Sequence, residues 1–229
     1  MTGAGGATGT SAANPAGAWT GRGTAVPTRI VLLRHGQSPL SVERRYSGRG
    51  NPELTELGRA QAAAAAKAVA GRYPEAAAVV SSPLARAFAT AGAVGTALGL
   101  PVEVDDGFIE TDFGTWEGLT FREAAEQDPE VHAAWLADPS LAPPQGESFA
   151  DVETRVSGAL QGLLGRYAGS TVVLVSHVTP IKTVLKLALD AGPSLLFRMH
   201  LDLACLSVVD FWSDGGASVR LVNETSYLP

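Results

Sequence analysis

The residues best suited to chemistry in this chain sit where short apolar runs end. Arg29 to Leu33, rich in Ile, Val and Leu, stops at Arg34-His35-Gly36. Ala77 to Ser81 continues into Ser82, and Thr171 to Val175 stops at Ser176-His177. Three chemistries could use two His with Arg nearby. As metal ligands, the His lack Asp, Glu or Cys at ligand spacing, and cationic Arg beside them opposes a metal ion. As part of a hydrolytic triad they need a Ser or Cys nucleophile, and no Gly-x-Ser-x-Gly elbow is present. A phosphoryl pocket fits better. Guanidinium forks match phosphate oxygens, and imidazoles add donors or a nucleophile. Phosphoryl transfer is catalysed mainly by positioning and charge stabilisation, so a pocket of two Arg and two His needs no metal.

The surrounding pattern explains how such residues would meet. Arg29 to Leu33, Ala77 to Ser81, Pro101 to Val104 and Thr171 to Val175 read as short strands. Thr55 caps a helix from Glu56 to about Gly71, and Pro83 opens another. Asp106 to Glu147 is less regular. Ser148 caps a helix whose Phe149, Val152, Val156, Leu160, Leu163 and Tyr167 form an apolar stripe. A further helix places Ile181, Val184, Leu185 and Leu189 on one face. Ala204 to Trp212 and Ser218 to Val222 read as final strands around a Ser213-Asp214-Gly215-Gly216 turn. Strands alternating with helices predict a three-layer α/β/α fold with a largely parallel central sheet. Ligands of such sheets bind at the carboxyl ends of strands, where the three polar endings would converge.

Composition narrows the rest. The chain has 229 residues, 45% hydrophobic, with a formal net charge of -6. That balance lacks the footprint of a nucleic-acid binder. No apolar run is long enough to span a bilayer and no signal peptide is visible, so a cytoplasmic protein is expected. Residues 1–28, mostly Gly, Ala, Thr, Ser and Pro without an apolar period, read as a flexible linker or tail; residues 29–229 read as one folded domain. Cys205, the sole cysteine, reads as a small core residue.

Leu33-Arg34-His35-Gly36-Gln37-Ser38 resembles the signature of the histidine phosphatase superfamily, which includes phosphoglycerate mutases. Five further segments follow in the family's order. Leu54 to Ala62 resembles its first helix, and Ser81-Ser82-Pro83-Leu84-Ala85-Arg86-Ala87 with Thr90-Ala91 its second phosphate-binding segment. Glu110 with Phe113-Gly114-Thr115-Trp116-Glu117-Gly118 resembles its proton-donor loop. Gly146-Glu147-Ser148 resembles the start of its long helix, and Val175-Ser176-His177 its second-histidine strand. The likeness spans roughly residues 29 to 212. More narrowly, Arg34 to Gly48 resembles the acid phosphatase half of actinobacterial two-domain proteins that join a ribonuclease H domain to a phosphatase.

The resemblance implies roles. His35 attacks phosphorus and becomes phosphohistidine. Arg34 and Arg86 clamp the phosphoryl oxygens, and His177 bonds the same group. Glu110 protonates the leaving oxygen and then deprotonates water, with Glu117 as its nearest competitor. Gln37, Ser38 and Ser41 line the phosphate and substrate mouth. Ser41 stands where many family members carry Asn, and Ser offers fewer bonds. His132 and His200 match no segment and read as surface or packing residues. Trp116 reads as core, and Arg44, Arg45 and Arg49 as a basic cluster beside the nucleophile loop. The implied activity is a metal-independent phosphomonoester hydrolase, with no cofactor, acting on a small phosphorylated metabolite. A mutase of this family usually carries a longer segment between proton-donor loop and long helix than Asp106 to Glu147. A silent binding domain would not need all five catalytic residue types.

Overall fold

The computed structural model describes residues 26–228. The leader therefore lies outside the described residues except at 26–28, and Thr28 belongs to the first strand rather than to the leader.

The chain folds as β1 (Thr28–Arg34), α1 (Pro39–Val42), α2 (Glu56–Arg72), β2 (Ala78–Ser81), α3 (Ala85–Leu98) and β3 (Val102–Val104). There follow α4 (Phe121–Gln127), α5 (Pro129–Ala137), α6 (Phe149–Arg166), β4 (Thr171–Ser176), α7 (Val178–Ala188), α8 (Leu195–Arg198), β5 (Leu206–Phe211) and β6 (Ala217–Glu224). The strands form one sheet in the order β3-β2-β4-β1-β5-β6. The four strands β3, β2, β4 and β1 are parallel. Antiparallel pairing joins β5 to β1 and β6 to β5. The turn after Trp212, closed by Trp212 N donating to Gly216 O, is too short for a parallel crossover.

Both faces of the sheet are covered. Ile30 and Leu32 of β1 pack with Val156, Leu160, Ile181 and Leu185 of α6 and α7. Val31 and Leu33 pack on the opposite side with Ala65, Val69, Ala87 and Val94 of α2 and α3. A strand buried on both faces reads as an unbroken apolar run, as β1 does. A third cluster, Tyr46, Phe113, Trp116, Trp135, Phe149 and Leu196 among its members, packs beyond the sheet.

Local signals set most boundaries. Thr55 Oγ1 accepts from Gly58 N, and Ser148 forms a capping box with Asp151. α3 begins at Ala85, two residues after Pro83, because Asn51 Oδ1 from a distant loop accepts its first N–H. Pro101 precedes β3. The region expected to be irregular holds α4 and α5 together with two single 3-10 turns, Asp106–Phe108 and Gly114–Trp116. α4 carries a local signal, a Thr120 and Glu123 capping box. Leu189, expected on the buried face of α7, caps that helix and is exposed. Among the described residues, no helix is long and apolar enough to cross a membrane.

Candidate active site

The three polar strand ends do converge. β1 and β4 lie side by side with Arg34 opposite Ser176, and β2 aligns Ser81 with Val175. His35 N donates to Ser176 O (3.0 Å), and Ala204 N donates to His35 O (3.1 Å). The loop beyond is pinned from two helices. Gly36 N donates to Thr90 Oγ1 of α3 (3.1 Å), and Gln37 N donates to Gln61 Oε1 of α2 (2.9 Å). The loop and the start of α2 touch backbone to backbone. A Cβ on Gly36 would lie 2.4 Å from Gly58 O, and one on Gly58 would lie 2.0 Å from Gln37 O. This contact gives Leu54 to Ala62 its place in the site.

The geometry fixes the state of the His35 ring. Nδ1 lies 2.7 Å from Gly36 O. A carbonyl oxygen only accepts, so Nδ1 carries the proton and Nε2 carries the lone pair. The His177 ring is 5.0 Å away, centroid to centroid, with Nε2 bonded to Ser82 Oγ at 2.7 Å. Burial, reinforced by the Arg34 and Arg86 charges, holds both imidazoles well below their ordinary pKa. Both are therefore neutral at pH 7.

Arg86 is fully buried, and Arg34 is half-buried where it lines the cavity. Arg34 Nη1 donates to Leu201 O (2.6 Å). Arg86 donates Nη1 to Gly50 O (2.8 Å) and Nη2 to Ser47 O and Gly48 O (both 3.0 Å). Desolvation lowers the pKa of both guanidiniums. Among the described residues, six buried side-chain atoms have no hydrogen-bond partner. Trp135 Nε1 is one. The others are Arg34 Nε, Ser38 Oγ, Ser47 Oγ, Arg86 Nε and His177 Nδ1, all from the phosphate-type segments or the loop beside them. Unpaired buried polar groups are costly, and their concentration in one place calls for a functional explanation.

Glu110 and Glu117 separate clearly. Glu110, 5% exposed, lines the same cavity as Arg34 and His35, and its Oε1 accepts from Thr111 N (2.9 Å). Glu117 instead accepts from Gly48 N (2.9 Å) and Gly50 N (3.1 Å). It thus holds the loop whose carbonyls Arg86 binds. The cavity is about 250 Å³. Ser38 and Ser41 also line it, with an aromatic wall that includes Tyr46, Phe113 and Trp135. Arg86 and His177 are fully buried and lie outside its lining. Gln37 does not line it either; its Oε1 accepts from Thr55 Oγ1 (2.8 Å). Ser41 Oγ is engaged with Ser38, accepting from its N and donating to its O.

Other residues fall into supporting places. Trp116 is buried and donates to Asp128. His132 is buried against Tyr46, whose hydroxyl it meets at 2.9 Å, and His200 is exposed beside Asp202. Arg45 lines the cavity but is paired with Glu43 and Glu123; Arg49 reaches Glu147 and Arg44 is exposed. Two residues escaped the sequence reading. Lys182 lines the cavity, donating to Leu196 O (2.6 Å), with its pKa lowered by burial. Arg155 grips the backbone leading to Glu110. The visible signal for each was only a cation beside an apolar helix stripe. Cys205 is buried, which pushes its thiol up to about 12. Among the described residues, no group of three or more His, Cys, Asp or Glu could hold a metal.

Residues 30–225 match the model of the histidine phosphatase superfamily (branch 1). The chain is 60% identical over 211 residues to the bifunctional protein Rv2228c of Mycobacterium tuberculosis, covering 92% of this chain and 57% of that protein. It thus spans little more than half of that relative. Over 182 residues it is 34% identical to phosphoserine phosphatase 1 of Hydrogenobacter thermophilus, covering 79% and 85% of the two chains. The solved structure of mycobacterial glucosyl-3-phosphoglycerate phosphatase Rv2419c matches with a TM-score of 0.79 at 31% identity, over 86% of this chain and 99% of that one. The family match takes in every strand end that builds the cavity, and the chain belongs to the histidine phosphatase superfamily.

Proposed function

We propose that residues 29–229 form a phosphomonoester hydrolase that needs no metal and works through a phosphohistidine on His35. The observation that carries this reading is a neutral imidazole, lone pair on Nε2, among buried donors that lack partners. In this reading Nε2 of His35 attacks phosphorus in line, the N–P bond forms and the ester P–O bond breaks. Glu110 gives its proton to the departing oxygen, then takes one from the water that cleaves the N–P bond. Arg34, Arg86 and His177 stabilise charge on the phosphoryl oxygens. Ser38 and Ser41 face the substrate from the cavity wall, and Gln37 acts by holding the loop. Neutral His35 keeps the nucleophile competent on the acidic side of neutral, in keeping with an acid phosphatase.

The donor set supports metal independence, because fixed guanidinium charge supplies what a cation would. The named relatives act on small phosphorylated compounds, which supports the same class of substrate here. A ribonuclease H domain joined to this phosphatase is also part of the proposal. A relative named bifunctional, of which the chain spans 57%, supports it. The direct test is hydrolysis of p-nitrophenyl phosphate in excess EDTA. Full activity is expected; loss on chelation that a divalent ion restores would overturn the mechanism.

A further inference from the structure

We infer that Arg155 is a positioning residue for Glu110, acting through the backbone rather than on substrate; this rests on the proposed role of Glu110 as leaving-group acid. Arg155 projects from α6 and turns both terminal nitrogens of its guanidinium onto one short stretch of chain. Nη1 donates to Gly107 O (2.9 Å) and Ile109 O (2.7 Å), and Nη2 donates to Glu110 O (3.2 Å). The same fork is held from behind by Glu147, with Nε to Oε1 at 2.7 Å and Nη2 to Oε2 at 2.9 Å. The Arg155 and Glu147 side chains are only 20% and 16% exposed.

Glu147 also fastens the far side of Glu110. Its N donates to Asp112 O (2.9 Å), and its Oε2 accepts from Asp112 N (3.4 Å). Ser176 Oγ, next to His177, donates to Phe108 O (2.6 Å). The stretch from Gly107 to Asp112 is therefore tied to α6 and to the end of β4, and Glu110 sits at its middle. No regular strand or α-helix supports that stretch, so these bonds set where its carboxyl group lies. A planar guanidinium can serve three carbonyls and a carboxylate together. A lysine ammonium on a flexible stem has three donors and no fixed fork. Loss of the fork should loosen Glu110 while leaving the Arg34 and His35 end of the cavity in place. A misplacement of about 1 Å costs on the order of 100-fold in a proton transfer or attack.

The test compares esters that differ in their need for a proton. Glycerol phosphate releases glycerol, a poor alkoxide leaving group that requires the acid; p-nitrophenyl phosphate releases p-nitrophenolate, which departs without a proton. For Arg155→Lys and Glu147→Gln, kcat/KM for glycerol phosphate should fall on the order of 10- to 100-fold. For p-nitrophenyl phosphate it should stay within about threefold, with vanadate inhibition unchanged. A folding defect would weaken both esters and vanadate together, so equal losses, or no loss with glycerol phosphate, would overturn the inference. If Arg155→Lys does not fold, Glu147→Gln carries the test, since it removes charge but not shape. Glu110→Gln serves as the control. If it shows the ester discrimination and Arg155→Lys does not, only the positioning role fails. If Glu110→Gln hits both esters equally, the acid assignment itself fails.

Discussion

The 2.7 Å contact between His35 Nδ1 and Gly36 O decides which nitrogen can react, and burial decides whether it is free to do so. Both effects have a consequence for stability. In the unfolded chain His35 and His177 bind protons near pH 6.5; folded, both resist protonation well below it. As pH falls below 6.5 the unfolded state gains protons that the folded state refuses, so stability falls. Both histidines lower stability in the same direction as pH falls through that window. Urea unfolding at about pH 7.5 and about pH 5.5 should show the loss, and equal stability at the two values would mean that the rings are not held neutral. At this scale the sequence revealed Arg34, His35 and His177 because each ends a strand or directly follows one. It could not reveal that Gln37 turns toward Thr55, or that Arg155 reaches back to Glu110, because those bonds join residues from separate elements.

The loop after His35 is held by backbone contact as well as by side chains. The approach of Gly58 to Gln37 O leaves no room for a methyl group. Gly58→Ala should cost about 1–3 kcal/mol in denaturant unfolding and lower kcat/KM, because the added atom pushes on the residue two beyond His35. Gly92→Ala in α3 is the contrast. Nothing lies within 4 Å of its added Cβ, so it should stabilise by about 0.5–1 kcal/mol without loss of turnover. Equal effects at the two positions would show that close packing at Gly58 is unimportant. Caps at Thr55 and Ser148 were readable because the capping residue adjoins its helix. The start of α3 was not, because Asn51 supplies its partner from 34 residues away. α4 was overlooked although its capping box is local; the dense Pro and Trp content around it masked a seven-residue helix.

On the scale of the whole molecule, one sheet brings three strand ends to a common edge, and an aromatic cluster walls the cavity above them. The parallel part of that architecture follows from alternating strands and helices and was legible throughout. The antiparallel β5 and β6 depart from it: β5 runs opposite to β1, and β6 returns from β5 through a turn too short for a crossover. The central claim is that this edge carries a covalent phosphoryl intermediate on His35. Rapid acid-free quench of the enzyme with p-nitrophenyl phosphate, followed by peptide mass spectrometry, tests it most directly. The account predicts an acid-labile, base-stable phosphate on His35, absent from His35→Ala along with turnover. Turnover by His35→Ala at the wild-type rate, or phosphate carried on any other residue, would contradict it.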